Sequence, residues 1–289
     1  MELFDIIKTI LFGIVEGITE WLPISSTGHM ILLNEVLPLK IGDSPKEFYS
    51  MFEVVIQLGA IMAVVILFWS QIWPFGKKNN NAPLKENGIG AWIKTDIFVL
   101  WFHILVSTVP AAVIGILFDD VFEKLFYNYE TVAIMLIIFG IAFIVVETRH
   151  EGKKYKINSL KEIGYDTALL IGLFQLIAAV FPGTSRSGAT IVGALLIGVS
   201  RTVAAEYTFF LAIPVMFGAS ILKLFKFGFH FTGTEAFILI LGMVVAFVVS
   251  LFVIKFLMGY IKKHNFIVFG WYRIVLGVIV LGCGIAGLL

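Results

Sequence analysis

The chain has 289 residues, of which 59% are hydrophobic and 14% charged, with a net charge of +1. Soluble domains carry roughly 25% charged residues, so this composition excludes a large soluble core and describes an all-α polytopic membrane protein. The near-neutral balance makes no case for a nucleic-acid partner, and the lone Cys283 excludes an intrachain disulfide or a cysteine metal cluster.

The N-terminus, Met-Glu-Leu-Phe-Asp, is acidic where a signal peptide would be basic, so the first apolar segment is expected to stay in the mature protein. Residues 6–22 form an apolar helix that carries Glu16 and Glu20, spaced to share one face. Pro23 ends or kinks it, and Ser25, Ser26, Thr27, Gly28 and His29 follow as a polar turn. In lipid such groups are costly and mark function. Residues 29–37 are apolar but too short to span. The two pieces therefore read as a re-entrant hairpin over 6–37, a form of broken backbone tolerated only where protein buries it or a wet cavity receives it.

Residues 51–70 are expected to span, with Glu53 near one end and Gln57 inside. Residues 71–96, with Lys77, Lys78 and the Asn79-Asn80-Asn81 run, read as an exposed linker. Residues 97–118 span, with a kink at Pro110, and Asp119 and Asp120 end that segment. Residues 131–147 span, and 148–166 are rich in lysine.

The plan then repeats. Residues 167–181 and 188–199 flank Pro182, forming a second hairpin over 167–199, and 204–225, 236–258 and 267–288 span. With Pro23 set on Pro182, Gly13 meets Gly172, Glu16 meets Gln175 and Ser26 meets Ser185. Slid by one residue, Ser25, Thr27 and Gly28 meet Ser185, Ser187 and Gly188, so the register past the proline is open. Each half, 1–150 and 151–289, holds one hairpin and three spans, and thus crosses an odd number of times. The halves then lie inverted, with sites near the midplane on broken helices.

The loops 71–96, 148–166 and 259–266 fall on one side and are richer in Lys and Arg. That side is expected to be cytoplasmic, with both termini outside. The margin over a plan in which each hairpin is a full span is small. Arg273, beside Trp271 and Tyr272, is expected to snorkel to the interface. Arg186, held in a Gly/Ser turn between apolar helices, instead calls for an anion, and its planar fork fits a phosphate.

Together the turns offer Arg186, the hydroxyls of Ser25, Ser26, Thr27, Thr184, Ser185 and Ser187, and free N–H groups where helices restart, a combination suited to phosphate. Glu16 and Glu20 would repel phosphate unless they hold a divalent cation, bind a proton or orient water. His29 suits acid or base work, and Ser26 is a nucleophile if His29 or a carboxylate activates it. These residues alone describe a lipid-phosphate hydrolase or transferase, or an anion transporter.

Glu16-Gly-Ile-Thr-Glu20 resembles the (E/Q)xxxE motif of the undecaprenyl-pyrophosphate phosphatases, the bacitracin-resistance family. Pro23-Ile-Ser-Ser-Thr-Gly-His29 is similar to that family's first polar segment, and Pro182-Gly-Thr-Ser-Arg-Ser-Gly-Ala-Thr190 to its PGxSRSxxT motif. The similarity runs over essentially the whole chain. It implies hydrolysis of undecaprenyl pyrophosphate to the monophosphate in the bacterial plasma membrane. It also implies a divalent cation, Mg2+ or Ca2+, and an active site open to the outer face. By that resemblance Glu16 and Glu20 stand near metal or water, Ser26 is the nucleophile, His29 the acid or base, and Arg186 holds pyrophosphate. Ser25, Thr27, Gly28, Gly183, Thr184, Ser185 and Ser187 then bind phosphate oxygens. A homodimer is compatible with this. The rival from another class is a transporter or flippase of lipid phosphate, since inverted repeats with broken helices are common among transporters.

Overall fold

A computed structural model describes residues 3–77 and 80–288, apart from the side chains of Asp119 and Glu123. Glu2, Lys78, Asn79 and the Asp119 side chain, which entered the sequence reading, lie outside the described residues. Twelve α-helices follow one another: α1 Leu3–Thr19, α2 Ser26–Val36, α3 Pro45–Val55, α4 Gln57–Leu67, α5 Trp69–Ile72, α6 Thr95–Phe126, α7 Tyr129–His150, α8 Tyr165–Val180, α9 Arg186–Ile197, α10 Arg201–Phe227, α11 Gly233–Ile261 and α12 Ile267–Ile285. Among the described residues, six segments are long and apolar enough to cross a membrane: Pro45–Leu67, Thr95–Phe118, Tyr129–His150, Arg201–Phe227, Gly233–Ile261 and Ile267–Ile285. The chain is thus an all-α polytopic membrane protein, and α1–α2 and α8–α9 are two pairs of short helices, each broken at a proline turn.

The bounds differ from expectation in three places. The first span starts at Pro45, where proline fits the first helical turn, and it is broken at Ile56 between α3 and α4. Helix α6 runs on through Asp120 to Phe126. Acidic residues end an apolar stretch without ending a helix, and Asp120 is held by Lys226 of α10 at 2.9 Å. The 71–96 segment is largely exposed as expected, but it is ordered over its described residues. It folds on itself through bridges between Phe75 and Ile93 and between Pro83 and Lys94, and Asn80 donates to the carbonyls of Ala91 and Ile93.

Packing pairs the first part of the chain with the second. α1 lies on α11 and α8 on α6; α4 meets α11 and α10 meets α6; α7 packs along α12. Close helix approach in lipid favours small residues at the crossing. A Cβ on Gly13 would stand 2.7 Å from Val245 Cβ of α11, and one on Gly172 would stand 2.5 Å from the Ser107 carbonyl of α6. Where α7 crosses α12, a Cβ on Gly140 or on Gly270 would meet the other's carbonyl oxygen at 2.7 Å. Outward faces stay apolar: on α6, Phe102, Leu105, Val109, Val113 and Ile116 are all exposed, a stripe that only lipid accommodates.

The two ends of the bundle differ in charge. At one end Arg201 grips the buried Glu147 carboxylate at 2.6–3.0 Å, Lys161 pairs with Asp96, and the lysine-rich 153–161 stretch folds against the end of α9. At the other end lie the C-termini of α6 and α10 and the loops that follow them.

Candidate active site

Both proline turns end in the same cap. Ser25 and Ser185 adopt positive φ, 74° and 67°, and are the two non-glycine residues to do so among the described residues. Each hydroxyl accepts a hydrogen bond three residues on, from the Gly28 N–H at 3.4 Å and from the Gly188 N–H at 3.1 Å. Left-handed serine is strained, so the cap must be held by its surroundings. The shared geometry fixes the register that the sequence left open: Ser25 corresponds to Ser185, Ser26 to Arg186, Thr27 to Ser187 and Gly28 to Gly188. The offset from the prolines is one residue because Gly183-Thr184 stand where Ile24 stands alone.

Glu20 is where the turns meet. Ser26 Oγ donates to Glu20 Oε2 at 2.8 Å, and Arg186 Nη2 donates to Glu20 Oε1 at 2.9 Å. The carboxylate is nearly buried, and Ser187 Oγ donates to the Glu20 carbonyl at 3.2 Å. Arg186 Nη1 donates to the Thr208 carbonyl on α10 at 3.0 Å, and the Thr190 and Thr208 hydroxyls are 2.9 Å apart. The guanidinium is thus held by the Thr208 carbonyl beside a carboxylate that also accepts a hydrogen bond from Ser26.

His29 is not the partner of Ser26. Its Nδ1 lies 2.7 Å from the Ser25 carbonyl and therefore carries the proton, and its Nε2 accepts from the Tyr272 hydroxyl at 2.7 Å. Arg273, expected at the interface, is instead fully buried. It donates from Nη1 to the Pro23 carbonyl at 3.3 Å and from Nη2 to the carbonyls of Gly183 and Thr184 at 3.0 and 2.7 Å. One guanidinium therefore ties both turns together. Those carbonyls precede helix starts and have no intrahelical donors, which is what draws a cation inward. The Thr184 hydroxyl, also expected to bind phosphate, is buried without a partner among the described residues.

Ser26, Thr27, Glu16 and Pro182 line a cavity of about 240 Å³ together with Glu53, Gln57, Tyr127 and Lys223. Its remaining wall is apolar and includes Met30, Phe122 and Val180. Glu16 is buried and both its oxygens lack a hydrogen-bond partner, as do both amide atoms of Gln175, its counterpart on α8. Among the described residues no group of three or more His, Cys, Asp or Glu could hold a metal ion. The carboxylate facing this cavity with free oxygens is therefore Glu16, whereas each oxygen of Glu20 already accepts a proton donor.

Of the expected residues, the structure joins Glu20, Ser26, Ser187 and Arg186 in one network, puts Glu16 and Thr27 on the cavity, and leaves Ser25, Gly28 and Ser185 to build the caps. Gly183 has φ 86° and abuts the Val132 carbonyl of α7, so its part is to let the turn pass. Missed in the sequence were Tyr272, Lys223, Tyr127, Thr208 and the inward role of Arg273. The one visible signal was Arg273 itself, a charge placed seven residues into α12.

The chain matches the family described as bacitracin resistance protein BacA over residues 9–279. It is 64% identical over 281 residues to an undecaprenyl-diphosphatase of Desulfitobacterium hafniense, covering 97% of this chain and 96% of that protein. It is 62% identical to undecaprenyl-diphosphatase 1 of Clostridium acetobutylicum, covering 97% and 98%. An undecaprenyl-diphosphatase of Enterococcus faecalis is 56% identical, again covering 97% and 98%.

Proposed function

This chain belongs to the bacitracin resistance protein BacA family, and we propose that it is a membrane phosphatase that hydrolyses undecaprenyl diphosphate to undecaprenyl phosphate and inorganic phosphate. The single observation that carries the mechanism is Glu20 shared between Ser26 and Arg186. Ser26 Oγ attacks the terminal phosphorus while Glu20 takes the hydroxyl proton. The anhydride P–O bond breaks and undecaprenyl phosphate leaves. Arg186 turns from Glu20 to the phosphoryl oxygens, where its charge offsets what develops in transfer. Water then cleaves the phosphoserine; once the Tyr272 hydroxyl releases its Nε2, His29 is the base for that water, and Glu20 returns its proton to the serine oxygen.

A divalent cation fits the donor set. Glu16 would hold it, with Glu53 and Gln57 on the same wall and substrate oxygens completing the shell, as is usual for hard cations bound with phosphates. Bound there, it would neutralise pyrophosphate charge. Glu20, whose oxygens accept from Ser26 and Arg186, would add to that donor set only with Arg186 turned to the substrate.

The inverted-repeat reading, with 1–150 and 151–289 as its halves, is supported by the matched caps, by Gly13 and Gly172 at equivalent crossings, and by the exchange of partners between α1–α11 and α8–α6. The cavity is lined from the later parts of α6 and α10, away from the lysine-rich end. By the positive-inside rule it then opens to the extracytoplasmic face of the plasma membrane, with both termini on that side.

Purified protein tests the reading. Phosphate release in detergent needs no second compartment, whereas a carrier would release none. Acid quenching with terminally labelled substrate should leave label on Ser26 and none in Ser26→Ala. An unlabelled protein, with Ser26→Ala keeping a tenth of the activity or more, would transfer the attack to water.

A further inference from the structure

Four phenylalanines form a continuous file beside the cavity. Phe118, Phe122 and Phe126 recur every fourth residue of α6 and so share one face. Their rings follow one another at centroid distances of 5.9 and 6.3 Å, and Phe126 meets Phe181 of the second turn at 4.8 Å. Phe122 lines the cavity, as does Pro182, the neighbour of Phe181. Phe118 is 43% exposed at the end of the membrane-crossing stretch Thr95–Phe118, while the other three rings are half-buried. The file thus runs from the lipid-facing surface to the wall of the reaction cavity.

Resting on the phosphatase reading, we propose that this file is the binding track for the polyprenyl chain of the substrate. The headgroup site explains nothing about the chain, which is much larger than a 240 Å³ cavity can take. An isoprene unit extends about 5 Å at ordinary carbon bond lengths, close to the spacing of successive rings. Its methyl-bearing double bond presents flat, polarisable surface to ring faces and edges, and each ring covered removes apolar area that would otherwise face disordered lipid tails. The track begins where the chain would arrive laterally from the membrane and ends beside Ser26 and Thr27, so it orients the diphosphate as well as holding the tail. Selectivity for long prenyl diphosphates follows, since a short chain ends before it reaches Phe118.

The test compares phosphate release from farnesyl diphosphate and undecaprenyl diphosphate in Phe118→Ala, which removes the ring farthest along the file from Phe181 and beyond the reach of a short chain. For the long substrate KM should rise about tenfold, the factor given by a loss of 1.4 kcal/mol of contact, with kcat within about twofold. For farnesyl diphosphate both constants should stay within about twofold of the parent, which also shows that the variant is folded. Phe118→Leu, which keeps apolar bulk without the ring, should fall between Phe118→Ala and the parent. Equal losses on both substrates would mean that the rings support the fold or the turn, and no change on either that they only face bulk lipid; each result overturns the track. Release from neither substrate by the parent protein would instead sink the phosphatase reading, and the track with it.

Discussion

The two proline turns share a skeleton and divide the chemistry. Each ends a short helix at a proline, passes through a left-handed serine and restarts a helix under the hydroxyl of that serine. The first carries Glu16, Glu20, Ser26 and His29; at the matching places the second carries Gln175, a neutral stretch, Arg186 and Ala189. In the proposed reaction, acid and nucleophile therefore come from one turn and the fixed cation from the other. A site made this way exists only when the turns meet, and the join is made by Glu20, which binds Ser26 and Arg186, and by Arg273, which binds carbonyls of both turns. The shared cap geometry supplies the frame, and the differences between the turns supply the proposed reaction.

The comparison is broken most severely at its junction. Glu20→Gln keeps the shape but removes the proton acceptor of Ser26, and kcat should fall about a hundredfold or more while the thermal midpoint of the detergent-solubilised protein stays near that of the parent. Activity above a tenth of the parent would show that another group takes the serine proton.

Next in size is the staple. Arg273→Met leaves the carbonyls of Pro23, Gly183 and Thr184 without their buried donor and should cost about 3 kcal/mol of stability. Thermal unfolding should shift markedly downward and activity should drop with it. An unshifted midpoint would mean that the turns hold each other without Arg273.

Arg186→Lys should lose about tenfold in kcat/KM, equal to roughly 1.4 kcal/mol, because an ammonium cannot reach Thr208 and two phosphate oxygens with one planar fork. Unchanged kinetics would reduce Arg186 to a point charge.

The smallest effect sharpens the asymmetry itself. Glu16 and Gln175 are matched, buried and unpartnered. Gln175→Leu removes polar atoms that make no hydrogen bond, so activity should stay within about twofold and stability should hold or rise slightly. Glu16→Gln should instead weaken activation by added divalent cation by about tenfold or more in the concentration required. If Gln175→Leu proves the more damaging of the two, the second turn takes part in the chemistry and the division between the turns is wrong.

The sequence by itself determined the membrane class, the six apolar spans, the two proline turns and the residues placed on them. These are local properties: apolar runs of sufficient length, a proline that cannot continue a helix, and hydroxyls that cap the next one. It also paired Glu16 with Gln175, but it could not choose the register past the prolines, because the one extra residue of turn at Gly183-Thr184 is visible only once both caps are seen. Tertiary structure decided the rest. Ser26 finds Glu20 rather than His29 because His29 is taken by the Ser25 carbonyl and by Tyr272 from the far end of the chain. Arg273 leaves the interface because orphaned carbonyls from two distant turns converge beside it, and a buried cation is tolerated where such acceptors surround it. Contacts between residues 89 to 250 positions apart leave no periodic trace in either partner, so residue type could suggest a role for Arg273 and only packing could assign it.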